Sequence, residues 1–167
     1  MLAPPISVDE PQRLDALRRL LLLDTPPEQR FDKLVAFAAS EFGVPIALFS
    51  LIDSERQWFK SRIGMTACET SREVSFCGHA ILQPALFIVP DALLDPRFAD
   101  NPLVTGAPHV RFYAGAPLVM ASGEAIGTLC LIDTAPRTLD EIDQAMLGSL
   151  RDLLREEVLA QGREALA

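Results

Sequence analysis

The run "VPIALFSLID", Val44 to Asp53, is apolar on both of its alternating faces. Successive strand side chains point to opposite sides of a sheet, so a strand of this composition has to be covered on both sides. That requirement organises the rest of the chain. "DSER" reads as a tight turn, and "QWFKSRIG" returns as a second strand. Alternation puts Trp58, Lys60 and Arg62 on one of its faces and Phe59, Ser61 and Ile63 on the other. "LFIV" at 86–89 is a short strand, and "RFYAGAPLVM" and "AIGTLCLID" form a hairpin across "ASGE".

Helices come from the two chain ends. Leu14, Leu17, Leu20 and Leu21 make one stripe, and Phe31, Leu34, Val35, Ala38 and Phe42 a second, which Gly43 stops. Ser7 with Glu10, Thr25 with Glu28 and Thr138 with Glu141 have the spacing of capping boxes, and Pro26 suits a first helical position. The last helix carries Leu139, Ile142, Met146, Leu150, Leu153, Leu154 and Val158. Phe76 to Leu82 reads as a short helix and 65–74 as a loop. The stretch 90–108, with four prolines, reads as a long loop holding one helical turn. The order ααββ–loop–αβ–loop–ββα, with an antiparallel sheet of about five strands, predicts an α+β fold.

The 167 residues predict one domain, with a core over about 14–158 and a frayed tail over 159–167. Acidic residues outnumber basic ones 23 to 15, for a net charge of −8. That opposes a nucleic-acid surface or docking on anionic lipid, both of which need a basic patch. No apolar run approaches the length of a membrane span, and the N-terminus lacks the features of a signal peptide. Three cysteines in apolar or mixed stretches fit a reducing cytoplasm better than a disulfide framework.

"SFCGHAI", 75–81, places a thiol and an imidazole two residues apart. On a helix such residues point roughly 200° apart, so Cys77 and His79 do not form a nucleophile–base pair by themselves. Cys68, Cys77, His79, His109 and Cys130 lack metal-ligand spacing, and no metal is expected. Cys68 and Cys77 flank a loop and could act as an attacking and resolving pair; the blander reading makes Cys68 an exposed thiol. No phosphate-binding glycine motif occurs. What remains is an inventory of aromatic bodies and single polar tips suited to a small-molecule pocket: Phe76, Cys77, His79, Asp91, Phe98, Asn101, His109, Arg111 and Tyr113. The competing reading has Asp91, Asp95 and Asn101 capping turns and Phe98 and Tyr113 packing the sheet's cover.

The blocks "LLLLDTPPEQRFDKLVAFAASEFGVPIALFSLIDSERQWFKSRIGM", "ETSREVSFCGHAI", "VPDALLDPRFADNPLV", "PHVRFYAGAPL" and "AIGTLCLIDTAPRTLDEIDQAML" resemble a GAF domain. The subtype is similar to the N-terminal sensory GAF domains of bacterial histidine kinases and diguanylate cyclases. The resemblance covers about Leu14 to Val158, in the expected order. It implies an antiparallel sheet of five to six strands, terminal helices on one face, and pocket-forming loops with a short helix on the other. It further implies a cytoplasmic, non-catalytic sensory domain with an unknown small ligand, no identified cofactor, a homodimer through terminal helices and a kinase or cyclase as output partner. The chain ends at Ala167 with no such module in view. The resemblance also admits a thiol-dependent free methionine-(R)-sulfoxide reductase and a purely structural dimerisation module. Cys77 resembles one cysteine of the reductases, but their catalytic cysteine falls near Gly106. Phytochrome-type GAF domains carry a bilin on a Cys followed by His; here glycine intervenes in "CGH".

Overall fold

A computed structural model describes residues 1–166, with side chains to Ala160. The expected frayed tail lies largely outside the described side chains, although helical backbone continues to Leu166. The elements run α1 (Glu10–Arg19), α2 (Gln29–Phe42), β1 (Ile46–Ile52), β2 (Arg56–Ile63), β3 (Glu69–Ser71), α3 (Phe76–Ala80), β4 (Phe87–Val89), α4 (Pro102–Thr105), β5 (Phe112–Val119), β6 (Ala125–Asp133) and α5 (Glu141–Leu166). Six antiparallel strands form one sheet in the order β3-β2-β1-β6-β5-β4. The α+β expectation holds, with six strands.

β1 sits in the middle and every one of its residues is buried. Ala47, Phe49 and Leu51 face a core built with Leu17, Phe31, Val35, Ala38, Leu147, Leu150, Leu154 and Val158 from α1, α2 and α5. Ile46, Leu48 and Ile52 face the opposite side, where α3, Phe98, Val104 and Val110 cover the sheet. The helices from the two chain ends thus cover one face, and short segments cover the other.

Local chemistry moved several boundaries. α2 starts at Gln29, not after a Thr25 cap. Pro27 disfavours helical backbone at the residue before it, so Pro26 cannot open a helix. Thr25 instead donates its hydroxyl to Leu22 O at 2.5 Å. The cap of α5 is Asp140 with Asp143, not Thr138 with Glu141: Asp143 N donates to Asp140 Oδ1 at 2.8 Å. The α1 N-terminus, at Asp9, has no side-chain cap, so Ser7 does not act as one.

β2 pairs with β1 through an irregularity: Ser50 opposes Phe59 but Phe49 opposes Ser61, leaving Lys60 as an extra residue. A bulge of this kind reverses the alternation beyond it. Ser61 therefore lies on the helical side, where its Oγ donates to Asp32 Oδ1 at 2.5 Å, rather than with Phe59. β3, expected as loop, is a three-residue edge strand against Arg56–Trp58. It is made by backbone pairing and has no apolar alternation to betray it.

Candidate functional site

α3 exists because Ser75 caps it. Ser75 Oγ accepts from Gly78 N at 3.0 Å and donates to Arg72 O at 2.8 Å. Phe76, Cys77, Gly78, His79 and Ala80 are all buried. The N-terminal segment crosses this helix closely. A Cβ on Gly78 would lie 2.7 Å from Pro4 Cγ. His79 Nε2 is 3.1 Å from Leu2 O, and because a carbonyl only accepts, Nε2 carries the proton. Burial holds the His79 ring below its ordinary pKa, against the opposing pull of the Leu2 carbonyl.

Cys77 points into the sheet and meets four small polar groups. Tyr113 Oη and Thr128 Oγ1 each donate to its sulfur at 3.1 Å. Ser50 Oγ lies 3.6 Å away and Cys130 Sγ 3.8 Å. Burial alone raises the Cys77 pKa, but its hydrogen-bond contacts with Cys130, Thr128, Tyr113 and Ser50 outweigh it and hold the thiol below its ordinary range. Burial, followed by the bond to Cys77, pushes Cys130 the other way. Burial likewise raises Tyr113, so its hydroxyl stays protonated and able to donate. Within the pair, Cys77 is the more acidic thiol and Cys130 keeps its proton.

Beside this cluster is a cavity of about 20 Å³, lined among others by Leu48, Gln57, Phe59, Phe76, Cys77 and Tyr113. A water-sized molecule needs roughly 10–15 Å³ on this measure, so the space holds about one. Gln57 Nε2 donates to Thr70 Oγ1 at 2.9 Å. Its Oε1 is buried with no hydrogen-bond partner among the described residues.

Of the nine residues that the sequence assigns to a pocket, Phe76, Cys77 and Tyr113 line this cavity. The other six do not. Phe98 is fully buried and stacks on Phe76, ring centroids 4.1 Å apart, with His79 edge-on at 5.0 Å. Asp91 receives two bonds from Arg111, both of 2.8 Å, and caps the turn at Ala92–Leu94. Asn101 caps α4 by accepting from Leu103 N at 2.8 Å and donates to Val74 O at 3.0 Å. His109 is exposed, with φ at 62°. Aromatic packing thus occupies much of the space assigned to a ligand. Cys68 is exposed, and the thiol that Cys77 meets is Cys130, not Cys68.

The sequence does not single out Ser50, Gln57, Thr128 or Cys130 as pocket-forming. A signal for two of them was present: Ser50 and Thr128 are lone hydroxyls in strands otherwise apolar on both faces, and a buried hydroxyl needs a partner. Among the described residues no three His, Cys, Asp or Glu side chains converge to hold a metal, and no helix is long and apolar enough to cross a membrane.

Comparison with known proteins agrees with this architecture. The family model of the GAF domain matches residues 26–157. Over 148 residues the chain is 49% identical to a cyclic di-GMP phosphodiesterase of Pseudomonas aeruginosa, covering 88% of this chain and 25% of that protein. The chain therefore spans a quarter of that relative's length. Two solved structures share the fold. The GAF domain of a phosphoenolpyruvate-protein phosphotransferase from Coxiella burnetii has a TM-score of 0.69 at 16% identity, covering 93% of this chain and 97% of that one. The free methionine-R-sulfoxide reductase of Neisseria meningitidis, in complex with its substrate, has a TM-score of 0.65 at 20% identity, covering 99% and 98%. The expectation of a non-enzyme is corrected by the first relative, which shares almost half of its aligned residues and is by name an enzyme. With the family model spanning most of its length and the six-stranded sheet and helix layers in place, this chain belongs to the GAF domain family.

Proposed function

We propose that the chain is a sensory domain that regulates cyclic di-GMP hydrolysis, as part of a phosphodiesterase or bound to one. The observation that carries this reading is the 49% identity to a cyclic di-GMP phosphodiesterase over 88% of the chain. In this reading an event on the α3 face of the sheet shifts the population between two arrangements, and the terminal helices pass the shift on. A small ligand is the natural trigger. The cavity beside Cys77 takes about one water-sized molecule as it stands, and a larger guest would displace Met65 and Leu103, which are half-buried at its wall.

The output helix is suited to a homodimer. α5 buries Leu147, Leu150, Leu154 and Val158 on the domain and leaves Ile142 and Leu153 exposed. Those two lie eleven residues apart, close to three helical turns, and so share a face. The unpaired cysteines support a reducing, cytoplasmic setting.

The near-filled α3 face favours a second reading, in which the domain is a dimerisation scaffold that senses nothing. Assay of cyclic di-GMP hydrolysis by the intact protein, with and without Leu103→Trp, separates the two. The sensory reading expects a rate change of several-fold with the fold retained. An unchanged rate contradicts it and leaves the scaffold.

A further inference from the structure

We infer that Cys77 and Cys130 form a dithiol that small hydroperoxides oxidise to an intramolecular disulfide, the oxidant entering the cavity that Cys77 and Gln57 share. This goes beyond the regulatory reading and does not depend on it. Three observations converge. The two sulfurs stand 3.8 Å apart and both residues are buried, whereas the third cysteine, Cys68, is exposed. Closing that gap to a disulfide bond requires an approach of about 2 Å. Two hydroxyls donate to the sulfur of Cys77, the arrangement that stabilises its thiolate. The cavity against Cys77 has room for about one water-sized molecule, and Gln57, whose buried Oε1 has no hydrogen-bond partner among the described residues, is one of the residues that line it. A hydroperoxide O–H is a donor that satisfies that oxygen.

The chemistry closes in two steps. The Cys77 thiolate attacks one peroxide oxygen; the S–O bond forms, the O–O bond breaks, and the second oxygen takes up a proton and leaves as water. Cys130 then attacks the sulfenic sulfur. The S–S bond forms, the S–O bond breaks, and the departing hydroxide takes the Cys130 proton as a second water. Two thiols lose two electrons and one peroxide gains them.

The disulfide removes the acceptor from Tyr113 and Thr128 and pulls α3 toward β6. Gly78 and His79 of α3 are the residues against Pro4 and Leu2, so the N-terminal segment registers the change.

The test uses the full chain carrying Cys68→Ser, reduced and then exposed to stoichiometric hydrogen peroxide, denatured, alkylated and weighed. The expected product lacks both alkyl groups and two hydrogens, with one disulfide-linked peptide joining Cys77 to Cys130. In the Cys130→Ser variant a sulfenic acid at Cys77 is trapped by dimedone. A bulky oxidant, tert-butyl hydroperoxide, reacts roughly tenfold or more slowly because the cavity excludes it. Gln57→Leu slows oxidation by hydrogen peroxide several-fold without changing the product. Two thiols that both remain alkylatable overturn the inference, as does equal reactivity toward the two oxidants.

Discussion

Tyr113 Oη lies 3.1 Å from Cys77 Sγ, and the ring that carries it lies over Gly115, two residues along the same strand. A Cβ at Gly115 would meet that ring, with Tyr113 Cζ at 2.8 Å and Cε1 at 2.9 Å. The hydroxyl reaches the thiol because position 115 has no side chain. Gly115→Ala is expected to destabilise the fold by about 2 kcal/mol, in the range for overpacking a dense core. It is also expected to raise the Cys77 pKa by moving the donor away. Urea unfolding reads the first effect and alkylation rate against pH the second.

Lys60, the extra residue of the β2 bulge, is almost wholly buried. Its ammonium donates to Thr25 Oγ1 and Pro26 O, both at 2.6 Å, and pairs with Glu28 at 2.7 Å. Lys60→Ala strands these acceptors and opens a cavity, and should cost about 3 kcal/mol. Glu28→Gln keeps the shape and one hydrogen bond, and should cost about 1 kcal/mol. Chemical denaturation of the two variants checks the order.

Glu10 of α1 lies between two buried guanidinium groups: it accepts from Arg13 at 2.9 and 2.8 Å and from Arg72 at 2.5 and 3.3 Å. Burial alone raises its pKa, but the bonds to Arg13 and Arg72 bring it down from 4.5 to about 2. A depressed carboxylate contributes stability that is present above the unfolded value and lost as pH falls through the folded one. The contribution, about 2 kcal/mol after solvent screening, should disappear between pH 4.5 and about 2. Glu10→Gln should flatten that acid limb in unfolding measured against pH.

The layers of this fold were legible because they rest on local periodicity. α2 could be read from Phe31, Val35, Ala38 and Phe42, all of them buried, and from Gly43, which ends the helix at φ 62°. β1 and β6 were legible as apolar runs. What escaped depended on one residue changing the register. Pro27 cancelled the Thr25 cap, and the Lys60 bulge moved Ser61 to the other face. The site was harder still. Cys77 stood out in "SFCGHAI", but its partners Ser50, Tyr113, Thr128 and Cys130 lie 27, 36, 51 and 53 residues away, on three strands. No spacing rule links them; only the sheet order and the inward phase of each strand bring them together. Phe98 shows how packing competes with a pocket reading. An aromatic in a loop looks like ligand-binding material until its neighbours Phe76 and His79 are seen to occupy that space.

The most direct measurement is a titration of thiolate absorbance in the Cys68→Ser chain, from about pH 5 to about pH 10. With Cys130, Thr128, Tyr113 and Ser50 around the sulfur, one thiol should ionise below the ordinary thiol range, while the second stays protonated. Tyr113→Phe should move that transition upward. Two thiols that remain protonated into the alkaline range would contradict a sheet face built around Cys77.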